Sequence, residues 1–120
     1  MATRYQKGAK DNRPWGTWEI LESHDNYCVK KICVKPQAQL SLQLHHHRAE
    51  HWIIASGSAV VTLGDKILNC KADNAVYIPK ETKHRIKNDG DNDLIFIEVQ
   101  TGELLDENDI ERYEDIYGRI

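Results

Sequence analysis

Short apolar stretches alternate with turn-forming residues along most of the chain. They are rich in Val, Ile, Leu and aromatic residues, and clusters of Gly, Pro, Asn and Asp separate them, which is typical of strands and turns. About nine such strands are predicted, at residues 14–21, 27–34, 40–45, 52–56, 59–63, 66–70, 75–78, from 84, and at 94–100. Since no amphipathic helix lies between them, the pattern predicts an all-β antiparallel sandwich or barrel.

The two ends of the chain depart from this pattern. Residues 1–12 are polar and lack apolar periodicity, which predicts a flexible N-terminal arm before a single domain at 13–120. Near the other end, Asp106 can cap a short C-terminal helix. Its apolar positions Ile110, Tyr113 and Tyr117 recur three or four residues apart, and Gly118 would end it.

Four of the six histidines lie in one run of ten residues, from Gln43 to Trp52. If 40–45 is a strand, Gln43 and His45 share one face while the leucines between them share the other. The next four residues allow the chain to reverse, so Glu50 would begin a second strand beside the first. After a proline turn, His84 begins a later strand.

Two imidazoles with one or two oxygen ligands suit one divalent metal ion, such as zinc, manganese, iron, cobalt or nickel. A polar surface loop has the same composition, so the run alone leaves both interpretations open.

Composition excludes several kinds of partner and site. The net charge of −3 and the pI near 6.0 provide no field for nucleic acid or an anionic membrane. The first residues lack the apolar core of a signal peptide, so a cytoplasmic protein is expected. Cys28, Cys33 and Cys70 are odd in number and lack CxxC spacing, which indicates buried apolar residues rather than disulfides or thiolate ligands.

Two blocks of the chain resemble the paired motifs of the cupin superfamily. The first motif is a glycine, HxH, a glutamate and a second glycine, and it maps onto Gln37, Gln43-Leu44-His45, Glu50 and Gly57. The second is a glycine, a proline, a glycine, a histidine and an asparagine, and it maps onto Asp73, Pro79, Glu81, His84 and Asn88. The resemblance implies a double-stranded β-helix, which is an antiparallel jelly-roll barrel.

The blocks fit the cupin spacings throughout but replace four motif residues. Gln37, Asp73 and Glu81 stand at glycine positions, where a side chain makes positive φ more costly. Gln43 stands at the first histidine.

A narrower resemblance covers nearly the whole chain. The matching segments are Arg13-Pro14-Trp15-Gly16, Leu40 to Gln43, His45 to Trp52, Tyr77-Ile78-Pro79, Glu98 to Gly102 and Tyr117-Gly118-Arg119. They are similar to the type II mannose-6-phosphate isomerase cupin, a family in which glutamine replaces the first metal histidine. In that family the unit often follows a mannose-1-phosphate guanylyltransferase domain, which this sequence does not contain.

The narrower resemblance implies interconversion of mannose 6-phosphate and fructose 6-phosphate through an enediol. It implies a metal held by Gln43, His45, Glu50 and His84. A proton carrier is also needed, because the reaction moves a proton between adjacent carbons.

Three further residues of the matching segments are candidates for contacts with substrate. A guanidinium at Arg48 could grip a phosphate or an enediolate oxygen, or it is an exposed turn charge. His47 could contact substrate or replace Gln43 as a ligand, or it is a solvated turn residue. Arg119 could reach back over the barrel mouth, or it is a free terminal residue.

His51 and Glu98 are two further titratable residues that could take part in proton transfer. His51 is the first candidate for the proton carrier because its pKa suits work near neutrality, although a regular strand from Glu50 would turn it away from the metal. Glu98 is expected to be a charge at the rim rather than a buried base.

Alternatives to the isomerase remain open from the sequence. A non-catalytic cupin could bind a sugar phosphate or nucleotide sugar, acting with a separate guanylyltransferase chain. An iron dioxygenase is a third class, disfavoured because a third certain histidine ligand is missing. A homodimer is expected, since cupins commonly pair through strand edges.

Overall fold

The computed structural model describes residues 5–106 and 108–117. These residues form two antiparallel sheets that face each other, and they contain no helix. The strands are β1 (Lys10–Arg13), β2 (Gly16–Ser23), β3 (Tyr27–Val34), β4 (Leu42–Leu44), β5 (Arg48–Ser56), β6 (Ser58–Leu63), β7 (Lys66–Lys71), β8 (Ala75–Ile78), β9 (His84–Lys87), β10 (Leu94–Gly102) and β11 (Glu111–Glu114). The all-β jelly-roll expectation is therefore confirmed.

After β3 the chain crosses repeatedly between the two layers, and of the strands described in this part of the chain only the consecutive strands β6 and β7 share a layer. One sheet has the order β1-β2-β3-β10-β5-β8, and the other has the order β11-β4-β9-β6-β7. The tight connection at Gly64 joins β6 to β7 as predicted, with φ at 58°. Each long strand turns alternate residues into the space between the sheets.

The inward positions change from apolar to polar partway along the barrel. On β10, Phe96 is buried in the apolar core, and the next two inward residues are Glu98 and Gln100. On β5, Trp52 packs on Phe96 with ring centroids 5.1 Å apart, and the inward residue before it is Glu50. One end of the interior is therefore hydrophobic core, and the other end holds buried polar groups.

Three turns adopt the backbone conformation that the cupin motif reserves for glycine. Gln37, Asp73 and Glu81 have φ of 63°, 75° and 59°. Cβ crowding makes this left-handed region unfavourable for most residues. Backbone contacts hold the turns in place, because the amides of Asp73 and Glu81 donate to the carbonyls of Ile54 and His45. The fold therefore imposes the glycine conformation on residues that have side chains.

The predicted C-terminal helix is wrong. Residues 111–114 form β11, which pairs with the exposed edge of β4. Asp106 does not cap a helix, and its carboxylate accepts the amide of Asn108 in a turn. Pairing with an open strand edge gives the tail long-range hydrogen bonds, which outweigh the helical spacing of Ile110 and Tyr113. The predicted end of the helix, Gly118, lies outside the described residues.

Part of the predicted N-terminal arm has regular structure, and its residues 1–4 lie outside the described residues. Residues 10–13 are an edge strand on β2, and Tyr5 is buried in a small apolar cluster with Ile20, Cys28 and Leu105. Aromatic burial and strand pairing therefore fix a segment whose sequence is polar.

Cys28 and Cys70 are buried and Cys33 is half-buried, and all three thiols are free.

Within 5–106 and 108–117, no helix has the length and apolarity needed to cross a membrane.

Candidate metal centre

Three side chains predicted as metal ligands meet inside the barrel. One ligand atom from each of His45, Glu50 and His84 lies within 4.8 Å of the others. His45 Nε2 is 3.1 Å from Glu50 Oε2, and His84 Nε2 is 3.9 Å from Glu50 Oε1. All three residues are at most 2% exposed. The cluster lies where the apolar core gives way to polar interior.

The ligands come from both sheets, which corrects the prediction of neighbouring strands. Glu50 is on β5 in the six-stranded sheet, whereas His45 follows β4 and His84 begins β9 in the five-stranded sheet. The short link from β4 to β5 crosses between the layers instead of forming a hairpin. Glu50 therefore faces the histidines across the barrel interior.

Both histidines turn Nε2 toward the cluster. His45 Nδ1 lies 2.6 Å from the carbonyl oxygen of Asp109, and His84 Nδ1 lies 2.8 Å from the carbonyl oxygen of Thr82. A carbonyl accepts only, so Nδ1 carries a proton and Nε2 is the ring nitrogen that faces inward. Backbone carbonyls commonly orient metal-binding histidines in this way.

Asp109 also fixes the turn that carries the histidines. Its carboxylate oxygens accept the amides of His46 and His47 at 3.0 and 2.9 Å. Burial acts to raise the pKa of Asp109, but these two amide donors outweigh burial and lower it. A charged carboxylate therefore ties the tail to the turn, so the segment before β11 contributes to the shape of the site.

Gln43 lies next to the cluster and offers one ligand atom. It is the cross-strand partner of His84 and lines the same cavity as His45. Its amide nitrogen donates to Ser41 Oγ at 3.1 Å, which leaves the amide oxygen as the atom available to a metal. Two imidazole nitrogens, a carboxylate and an amide oxygen fit a borderline divalent ion.

Arg48 supplies the positive charge beside these ligands. Its side chain is buried, with Nε 2.9 Å from Glu50 Oε2 and Nη2 3.3 Å from His45 Nε2. Burial acts to raise the pKa of Glu50, but the Arg48 guanidinium and the nearby histidines outweigh burial and hold it well below its ordinary value. Burial lowers the pKa of His84. The site thus keeps an ionised carboxylate and a neutral imidazole in a buried setting.

Arg48 and a metal would share partners. A lone pair serves one partner at a time, so a metal at His45 Nε2 would replace the contact between that atom and the guanidinium. Arg48 is also held by Tyr5, because Nη1 lies 3.3 Å from the Tyr5 hydroxyl. It is therefore an interior residue and not an exposed turn charge.

Glu98 is buried, which corrects its expected place at the rim. Trp52 Nε1 donates to Glu98 Oε1 at 3.0 Å and to Glu50 Oε1 at 2.9 Å, so the indole lies between two carboxylates. Gln100 Nε2 donates to Glu98 Oε2 at 2.7 Å. Burial, followed by the charge of Glu50, raises the pKa of Glu98 to about 7. Alternation along β10 places Glu98 on the same inward face as Phe96 and Gln100, but depth along the barrel is not encoded locally.

The structure does not bring His51 or His47 to the cluster. His51 lies on the outer face of β5, exposed, with its ring 4.7 Å from the Tyr77 ring. It follows Glu50 by one residue and so points the opposite way, which means that the structure does not place the predicted proton carrier at the cluster. His47 is exposed in the turn, away from the three ligand atoms. Arg119 lies outside the described residues.

The two sheets and the enclosed His-Glu-His cluster define a cupin. Solved structures with the same fold include a cupin domain from Schizosaccharomyces pombe Cnp3, with a TM-score of 0.70 and 16% identity over 72% of this chain and 64% of that chain. An oxalate decarboxylase from Lactobacillus farciminis gives a TM-score of 0.76 and 21% identity over 87% of this chain and 33% of that chain. At these identities the likeness shows the fold alone.

The chain belongs to the family described as mannose-6-phosphate isomerase C-terminal, whose model matches residues 2–115. It is 52% identical to the xanthan biosynthesis protein XanB of Xanthomonas campestris over 89% of this chain and 23% of that protein. It is 48% identical to the alginate biosynthesis protein AlgA of Pseudomonas syringae over 98% of this chain and 24% of that protein.

A mannose-1-phosphate guanylyltransferase of Escherichia coli is 44% identical, over 90% of this chain and 23% of that protein. The chain therefore spans about a quarter of the length of the curated relatives that it matches.

Proposed function

We propose that this cupin is an aldose-ketose isomerase that interconverts mannose 6-phosphate and fructose 6-phosphate. The single observation that carries the proposal is the buried cluster of His45, Glu50 and His84 with an arginine beside it. Membership in the mannose-6-phosphate isomerase C-terminal family supports the choice of substrate. Similarity to proteins named for xanthan and alginate biosynthesis supports a role in sugar metabolism.

Each interior residue has a task in this proposal. Gln43, His45, Glu50 and His84 would hold one divalent metal ion. When bound, such an ion would polarise the carbonyl and hydroxyl oxygens of the sugar. Arg48 is placed to stabilise negative charge on an enediolate oxygen, because its guanidinium lies beside the ligand atoms in a water-poor interior.

Glu98 does not line the cavity at the cluster. We therefore assign it the role of holding Trp52 in position rather than contacting substrate. His51 faces away, so the proton carrier is among the interior groups.

Metal analysis and a coupled assay test the proposal together. Protein purified without chelator is analysed for bound metal, and turnover of mannose 6-phosphate is measured with zinc, manganese, cobalt, iron and nickel. We expect about one metal per chain, and we expect H84A and E50Q to lose both metal and turnover. H24A is the matched control, because His24 is an exposed histidine in the turn between β2 and β3. Absence of bound metal, together with no activation by any of the ions, would refute the metal assignment.

Similarity to a mannose-1-phosphate guanylyltransferase supports a second candidate function. The same barrel could act as a non-catalytic module that binds a sugar phosphate or nucleotide sugar beside a guanylyltransferase. Tight binding of mannose 6-phosphate without turnover under any metal would favour this module. Turnover by the isolated chain would favour the isomerase.

We also propose that the protein forms a homodimer. Ile53 and Tyr77 on β5 and β8 are 48% and 52% exposed, and β8 ends the six-stranded sheet. An exposed apolar edge of this kind is commonly covered by a second copy. Light scattering that finds only monomer at micromolar concentrations would refute the dimer.

A further inference from the structure

A cavity of about 90 Å³ opens beside the metal centre, and its wall carries four permanent positive charges. Arg13, Lys30, Arg48 and Arg112 all line it, and none of the described lining residues is acidic. This balance is unusual for a chain with a formal net charge of −3. A concave, one-signed wall focuses the field on whatever occupies it, so the cavity attracts an anion.

Lys30 is the cation that most needs a ligand. It is half-buried on the inward face of β3, and its ammonium lies 4.7 Å from the centroid of the Trp18 ring and 5.1 Å from that of Tyr5. Glu98 is its cross-strand partner, yet Lys30 forms no salt bridge with a carboxylate in the part of the chain that the structure describes. Two aromatic faces hold the charge in place, and its donors remain available to an anion.

The other cations differ in how far they are already neutralised. Arg48 is paired with Glu50 at 2.9 Å, inside the metal centre. Arg13 lies at the opening, with its guanidinium 5.9 Å from the centroid of the Trp18 ring and 3.3 Å from exposed Asp11. Arg112 lines the cavity from β11. The cavity thus has Arg48 at the metal end and Arg13, Lys30 and Arg112 along the remaining wall.

We propose that Lys30, with Arg13 and Arg112, forms the subsite for the phosphoryl group of the substrate, and that Trp18 and Tyr5 position the ammonium. The inference rests on the proposed function, which places the reacting end of a sugar at the metal centre. A volume of about 90 Å³ has room for several water-sized groups, which fits a phosphoryl group. A dianionic phosphoryl group offers three acceptor oxygens to these donors.

Calorimetric binding of mannose 6-phosphate and of inorganic phosphate tests the subsite in the full chain. K30M removes the charge while retaining an unbranched apolar stem. K31M is the matched control, because Lys31 is exposed on the outer face of the same strand. We expect K30M to weaken binding of both ligands at least tenfold, since hydrogen bonds to charged groups are the strong ones. K31M should stay within twofold of the wild type.

A second variant and a second ligand separate the subsite from folding and from catalysis. R13Q changes an exposed residue and should weaken binding of both phosphorylated ligands about threefold or more, with an unchanged Tm. Unphosphorylated mannose should bind the wild type and K30M equally.

The two proposals can fail independently in these measurements. Loss of phosphate binding in K30M without wild-type turnover would retain the subsite and refute the isomerase. Turnover with K30M binding equal to wild type would refute the subsite and retain the isomerase. If neither anion binds the wild type, the subsite is wrong.

Discussion

Replacing Arg48 by methionine should destabilise the metal-free protein strongly. Glu50 is 1% exposed, and Arg48 is the principal group that keeps its carboxylate ionised against burial. Removing one partner of a buried ion pair costs about 3–5 kcal/mol, because the other charge stays buried and uncompensated. The lower end applies here, since Glu50 also accepts a hydrogen bond from Trp52 Nε1. At about 4 °C per kcal/mol for a domain of this size, Tm should fall by about 12 °C.

Added metal should reverse much of this loss. A divalent ion at the same ligand atoms supplies the positive charge that R48M lacks, so the variant should gain more from the ion than the wild type gains. Ligand at about 1,000 times Kd stabilises a single site by about 4 kcal/mol. Thermal unfolding by calorimetry, with chelator and with excess metal, measures the stability lost in R48M and the stability that each protein gains from the metal.

The control is R85M, which removes an arginine whose side chain is 23% exposed and pairs with exposed Glu114 at 3.1 Å. It should cost less than about 1 kcal/mol. The pH dependence is a further check. The lowered pKa of Glu50 gives stabilisation that is present above its ordinary value of 4.5 and is lost as pH falls further. The difference between wild type and R48M should therefore narrow below about pH 4.5. A metal-free R48M within 1 kcal/mol of wild type would refute the reasoning.

Three more variants test the interior and the turns. E98Q should flatten the pH dependence of stability. Because the pKa of Glu98 is raised, the wild type has stabilisation below the ordinary value of 4.5 that is lost as pH rises through about 7. The loss in unfolding free energy is on the order of 3 kcal/mol. Denaturant titrations with chelator at pH 5 and 8 measure the free energy of unfolding. The same change in this free energy between the two pH values in both proteins would contradict the prediction. G102A should destabilise the protein by more than about 3 kcal/mol, because the added Cβ would lie 2.2 Å from the carbonyl oxygen of His47. In G64A the added Cβ meets open space, so this variant should cost about 1 kcal/mol. Equal Tm for these two variants would oppose the steric argument. D73G should stabilise the fold by about 0.5–1 kcal/mol, because glycine removes the backbone strain of a φ of 75°. The control D65G should bring no gain, because φ at Asp65 is not positive. A destabilised D73G would refute this.

Most strands were predictable because alternation and turn residues are local properties. The strand at 27–34 and the hairpin around Gly64 match the structure closely. Which sheet each strand joins is a long-range property, and this is why β4 and β5 were wrongly placed side by side. The tail illustrates the same limit. Its helical spacing is real, but the unpaired edge of β4 that it joins lies more than 60 residues earlier in the chain.

The ligands of the candidate site were found because histidine and glutamate spacings are distinctive, and the structure brings His45, Glu50 and His84 together. Lys30 was missed, although a signal was present. It is the charged residue in the inward series Cys28, Lys30, Ile32 and Val34, where a lysine is out of place unless it serves a ligand. The depth of Glu98 depends on how the two sheets pack and not on its neighbours in sequence.

Because Glu50 belongs to one layer and the two histidines belong to the other, an ion bound between them would fasten the two layers together at their polar end. Its removal should therefore be recorded by amide exchange in both layers at once, as a change in how readily the whole barrel opens and not as loosening of one loop.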